Sequence, residues 1–236
     1  MGDDGWTVCE HGPIEQLAEN LWRVSGALPR MTLRRTMTVV RIGGGRLVIH
    51  NAIALDAAGM RALEALGAPS VLLVPNGFHR LDAAAYKRRY PALRVLAPRG
   101  SMKKVAEKVA VDGSYEDFPA DETARTEAIA GIADLEGALV VRSTDGVTLV
   151  LTDCVFNMDP KRDFMGNLIT RALGSAPGPR VSRLFRFLGV KDKAAFRENL
   201  ERLAATPGLV RVVVAHEKVA SGADAPAALR QAATFV

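Results

Sequence analysis

Val74-Pro75-Asn76-Gly77-Phe78-His79-Arg80-Leu81-Asp82 is the stretch on which the reading of this chain turns. A short apolar run, Val71 to Val74, leads into a polar turn carrying a histidine, and a helix is predicted to begin near Asp82. A proline and a glycine side by side with Asn favour a turn over a continued strand. Two later apolar runs end in the same manner, one at Leu151-Thr152-Asp153 and the other at Val214-Ala215-His216. Each is a β-type segment whose last residue can hold a proton or a metal ion. Val48-Ile49-His50-Asn51 is a fourth run of this kind.

Working outward, Glu19 to Val24 reads as an early strand with alternating sides, and Met37 to Ile42 and Arg46 to Ile49 as two more. Gly43-Gly44-Gly45 between the latter two is a hairpin signal, because glycine accepts the positive φ of tight turns. Asp56 is placed to cap a helix over Ala57 to Leu66, which Gly67 stops. Ala83 to Arg89 reads as helix, ended by Tyr90-Pro91, and Leu93 to Leu96 as strand. Asp145-Gly146 turns a second hairpin between Ala138 to Arg142 and Val147 to Thr152. Ala194 to Ala205 and Ala225 to Ala233 are predicted helices flanking a strand from Leu209 to Ala215. Hairpins in each half with helices interleaved imply an α/β (α+β) chain of two sheets under outer helices.

The bulk properties narrow the class. At 236 residues, with 48% hydrophobic and 24% charged residues, the chain suits one globular domain with a real core. Cys9 and Cys154 have no zinc-ribbon or redox spacing, so a reduced, cytoplasmic pair is expected. The acidic start, Met1-Gly2-Asp3-Asp4-Gly5, is unlike a signal peptide, and no apolar run approaches the roughly 18 residues of a membrane span. The net charge of +5 is local: residues 161–193 hold eight basic residues against two acidic ones, or +6. That basic segment reads as helical in pieces, broken around Gly174-Ser175-Ala176-Pro177-Gly178-Pro179. It suits a solvated face, a lid or a homodimer helix, and also an anionic ligand or surface; nucleic-acid binding is the weaker reading. Arg183-Leu184-Phe185-Arg186-Phe187-Leu188 sets aromatics beside arginines, which stack on bases or lie on a membrane in other settings. No P-loop and no G-x-S-x-G elbow is present.

This order of elements, with Leu17-Ala18-Glu19-Asn20-Leu21-Trp22-Arg23-Val24 at its start, the loop Pro75 to Asp82, the strand end Leu151-Thr152-Asp153-Cys154 and the closing Val213-Val214-Ala215-His216, resembles the metallo-β-lactamase fold. The resemblance implies an αββα four-layer sandwich over residues 1–236, with a basic helical insertion around residues 159–193. It also implies a metal centre at one sheet edge, where N-G-F-H-R-L-D stands in place of H-x-H-x-D-H. Aligned without gaps, Asn76, Phe78, Arg80 and Leu81 occupy the ligand positions of that loop, and no histidine falls near Ala128 to Asp134. A standard dinuclear zinc centre, which needs five or six protein ligands, is therefore not expected. What the resemblance leaves is a set gathered from four elements: His50, His79, Asp153 and His216 as ligands of one zinc or iron ion, or of none, with Asp153 and His79 as the catalytic pair.

The expected function is a hydrolase with a remodelled mononuclear site acting on a small molecule, with Arg80 or the basic segment holding an anionic part of it. The alternative is a metal-free pseudo-enzyme that binds a ligand or a partner. Bland roles compete residue by residue. Asp82 reads most simply as a helix cap, His79 as a hydrogen-bond partner of a nearby loop, and His50-Asn51 as a strand-end turn. Asp153 reads as a loop clasp, His11 as structural, and Cys154 as a small buried residue.

Overall fold

The structure is a computed structural model that describes residues 5–29, 31–161 and 164–236. The first four residues, and residues 162 and 163 of the basic segment, lie outside the described residues. The chain divides into two compact units, Met1–Thr126 and Glu127–Val236.

The first unit is built on a seven-stranded sheet that runs in chain order. Strands β1 (Glu15–Ala18), β2 (Leu21–Leu28), β3 (Met31–Ile42) and β4 (Arg46–His50) form an antiparallel meander. From β4 onward the pairing turns parallel through β5 (Ala68–Leu73), β6 (Arg94–Ala97) and β7 (Gly113–Ser114). Parallel neighbours need a crossover, and helices α1 (Ala57–Leu66) and α2 (Ala83–Arg89) supply the first two. The short helix α3 (Met102–Ala106) follows β6. The glycine turn forms as expected, with Gly44 at φ 73° and Gly45 at φ 69°. Asp56 caps α1 by accepting from the Gly59 N–H at 2.7 Å, and Gly67 ends it at φ 154°. Trp22, Met37, Ile49, Leu63, Leu72 and Tyr86 are among the residues of its core.

The second unit holds a five-stranded sheet in the order β12-β11-β10-β9-β8. Its strands are β8 (Ala124–Ala128), in which the division between the units falls, β9 (Gly137–Ser143), β10 (Gly146–Val150), β11 (Leu209–Val213) and β12 (Ala220–Ser221). β9 and β10 are antiparallel across the Asp145-Gly146 turn, whereas β10 and β11 are parallel. The long connection between them contains α4 (Phe164–Ala172), α5 (Arg183–Leu188) and α6 (Lys193–Ala204), and α7 (Asp224–Ala233) closes the chain. α6 buries Phe196, Asn199, Leu200, Leu203 and Ala204, and α7 buries Ala225, Ala228, Leu229, Ala232 and Ala233. Both sets fall at i, i+3, i+4, i+7, i+8, the spacing of one helical face.

Parallel strands aim their carboxyl ends the same way. Loops that leave those ends are where open α/β sheets collect functional side chains. In the first unit these ends are His50 and the loop after Leu73; in the second they are the loops after Val150 and Val213.

Candidate functional site

In the first unit the loop after β5 is organised by Asn76. Its Oδ1 accepts from the N–H groups of Phe78 at 2.8 Å and His79 at 3.0 Å, an Asx turn that fixes where His79 leaves the backbone. The His79 ring is then held by Asn51. Asn51 sits at φ 58°, donates from Nδ2 to Thr36 O at 2.7 Å, and its Oδ1 lies 3.1 Å from His79 Nδ1. An amide oxygen only accepts, so the proton belongs on Nδ1 and the lone pair of the neutral ring on Nε2. That is how a histidine ligand is usually oriented by its surroundings.

His50 lies at the end of β4, 1% exposed, with its Nε2 without a hydrogen-bond partner. Burial first, and the neighbouring His79 second, lower its pKa from 6.5 to about 3, so it is a neutral imidazole at ordinary pH.

Two expectations for this loop are corrected. Asp82 precedes α2 but makes no capping bond from its side chain. Its Oδ2 instead meets Arg35 Nη2 at 2.5 Å and accepts from the Ala54 N–H at 2.9 Å, with both partners of the ion pair buried. Arg80, expected to hold an anionic part of a substrate, ties the loop down: its Nη1 donates to the Lys104 carbonyl and to Glu107 Oε2 at 2.9 Å. Phe78 is 83% exposed.

In the second unit the register itself sets the pair. Val150 is opposite Val213 in the parallel β10–β11 ladder, and three residues beyond each stand Asp153 and His216. Asp153 Oδ1 and His216 Nε2 are 3.2 Å apart. Phe156 stacks on the His216 ring at 5.3 Å with 6° between planes. Beneath the turn lies Glu136, 1% exposed, whose two carboxylate oxygens accept from the N–H groups of Asp153 at 3.0 Å and Cys154 at 2.9 Å. The clasp expected of Asp153 is thus made by Glu136, which leaves the Asp153 side chain to His216. Burial, with the Glu136 carboxylate next, pushes the Cys154 thiol well up, so Cys154 is a packed thiol and not a thiolate.

Of the four expected ligands, the structure therefore forms two pairs, His50 with His79 in the first unit and Asp153 with His216 in the second. His11 is structural: its Nε2 accepts from the Asp56 N–H at 2.9 Å. Asn51 and Glu136 are the residues whose importance the linear order hid. Asn51 had a signal in its neighbour His50, but Glu136 acts 17 and 18 positions away with no motif around it.

The donor chemistry fits a metal ion. Zinc bonds of about 2.0–2.1 Å place neighbouring atoms of a tetrahedral shell roughly 3.3 Å apart, close to the Asp153–His216 separation.

No family model and no curated protein sequence matches the chain. Solved structures do. The DIM-1 metallo-β-lactamase exposed to ceftazidime superposes with a TM-score of 0.65 at 12% identity, over 97% of this chain and 98% of that one. The chain has the metallo-β-lactamase fold. VMB-1 at pH 5.5 gives a TM-score of 0.64 at 11% identity, over 97% of this chain and 98% of that one. The metallo-β-lactamase from Pontibacter korlensis gives 0.61 at 10% identity, over 95% and 99%. At such identities the metallo-β-lactamase likeness is one of fold alone.

Proposed function

We propose that this protein is a metal-dependent hydrolase of the metallo-β-lactamase fold with a rebuilt, mononuclear site. Asp153 and His216 of the second unit are ligands of its ion, which is zinc or iron(II). The observation that carries this reading is the Asp153–His216 pair, spaced like two ligands of one ion and seated on the carboxyl ends of adjacent parallel strands. A likeness in fold to metallo-β-lactamases across 97% of the chain supports it. His50, fully buried and neutral, is proposed to stand behind His79 rather than to reach the open side.

Such an ion supplies Lewis acidity, bringing the pKa of water near about 7 and polarising a carbonyl or phosphoryl oxygen. The chain's own residues do the rest. Phe156 and Glu136 fix the His216 ring and the Asp153 turn, and the Asp153 carboxylate would take up the proton that water loses. The substrate class is a small ester, amide or phosphoester.

The reading is tested by assaying a panel of these three bond types with purified protein before and after chelation. Hydrolysis that chelation abolishes, that zinc or iron(II) restores, and that Asp153→Asn lowers at least about 100-fold is expected for a base at the reacting water. Activity indifferent to chelation, or retained in Asp153→Asn, would refute it.

A further inference from the structure

The connection between β10 and β11 carries an unusual helix pair. In α4 the exposed residues include Met165 at 60%, Leu168 at 52% and Ile169 at 51%, at i, i+3 and i+4, while Thr170 faces inward at 8%. In α5, Leu184 at 48%, Phe187 at 82% and Leu188 at 52% repeat the same spacing. An ordinary surface helix buries its apolar stripe and shows its polar one; here both helices show the apolar stripe. The two are joined at a corner where the Arg183 N–H donates to Leu173 O at 2.8 Å. Contiguous apolar exposure of this kind marks a surface that meets something.

The charge says what. Residues 161–193 carry +6 (eight basic minus two acidic), and Arg171, Arg183, Arg186, Lys191 and Lys193 are exposed around the stripes. The one acidic residue among 164–193, Asp192, caps α6 through the Ala195 N–H at 3.0 Å. A second copy docked through the same face would set these exposed cations against their own kind. A nucleic acid would use the charges but gain nothing from six bared apolar side chains. A bilayer with anionic headgroups uses both, since short amphipathic helices with basic rims lie in the interface with their apolar side chains among the acyl chains. No helix among the described residues is long and apolar enough to cross a membrane, so the contact would be with the surface.

We propose that the α4–α5 pair docks this protein on an anionic lipid bilayer. The contact is reversible, because two short helices bury little acyl-facing area. It weakens with salt, because part of the attraction is screened charge.

Flotation with phosphatidylcholine vesicles, with and without phosphatidylserine, tests this. Binding is expected to the mixed vesicles and not to phosphatidylcholine alone, and to fall on raising the salt. Arg171→Gln/Arg183→Gln/Arg186→Gln should weaken binding on the order of 100-fold, at about fivefold per charge near an anionic surface. Phe187→Ser/Leu188→Ser should weaken it at least about tenfold. Phe187→Trp provides a second readout, with indole emission moving to the blue only when phosphatidylserine vesicles are added. Three results would each overturn the proposal. One is no binding to the mixed vesicles. Another is binding that the Phe187/Leu188 change leaves intact while duplex nucleic acid binds equally well. The last is self-association that Phe187→Ser abolishes, with no blue shift on vesicles.

Discussion

At Asp82 two physical roles compete, and their magnitudes separate them. Losing a helix cap costs about 1 kcal/mol. Leaving a buried arginine without its counter-charge costs about 3–5 kcal/mol. Because Asp82 is paired with Arg35 at 2.5 Å and both are buried, Asp82→Asn is predicted to fall in the larger range, read from urea unfolding of the purified variant; a loss near the capping value would contradict the pairing. His50 gives a pH signature at the same scale. Its folded-state pKa is about 3 against 6.5 when unfolded, so the unfolded chain takes the proton first. Its contribution is complete above pH 6.5 and declines as pH falls toward 3, by about 1.4 kcal/mol per unit. In chelated protein, His50→Gln should therefore show a shallower loss of stability with acid than the parent, and parallel curves would disprove this. Single residues were legible in the sequence only where their own type and place beside an apolar run marked them. His50, His79, Asp153 and His216 were visible as strand-end residues. The Arg35–Asp82 pair, 47 positions apart, and the Glu136 clasp were not, because their roles exist only once the sheets are formed.

Among the elements, those with a local punctuation mark were readable to the residue. α1 runs over Ala57–Leu66 as its Asp56 cap and Gly67 stop predict, and the glycine turn and the Asp145-Gly146 hairpin lie where those dipeptides require. β3 begins at Met31 rather than Met37, because Arg34 and Arg35 break its apolar pattern while Arg35 is buried by its ion pair. The two-residue strands β7 and β12 are too short to carry a periodic signal. Gly67 offers a direct test of the α1 stop. A Cβ there would meet Gly45 O at 2.3 Å with φ at 154°, whereas at Gly45, φ 69°, nothing lies within 4 Å. Gly67→Ala is predicted to cost at least about 2 kcal/mol and Gly45→Ala about 1 kcal/mol, since only the former adds a clash to the strain. Equal thermal shifts for the two would show that the close approach to the Gly45 carbonyl is not what holds this position to glycine.

For the whole molecule, the order of strands and helices was enough to indicate the metallo-β-lactamase fold, and superposition on solved members at 10–12% identity bears that out. A fold survives such divergence because burial and periodicity specify it through many interchangeable apolar residues, whereas a metal centre rests on a few that are not interchangeable. Here Asn76 builds a turn, Phe78 is exposed, and Arg80 is tied to Glu107. What the site does therefore depends on the residues that remain. The most direct measurement is the metal content of protein purified without added metal, by elemental analysis of the parent and of Asp153→Ala, His216→Ala and His50→Ala. Close to one equivalent of zinc or iron is expected in the parent and in His50→Ala, and less than about a tenth in Asp153→Ala and His216→Ala, since a tight site keeps its ion through purification. A parent that holds no transition metal even after reconstitution, or one whose content is unchanged by loss of Asp153 or His216, would contradict it.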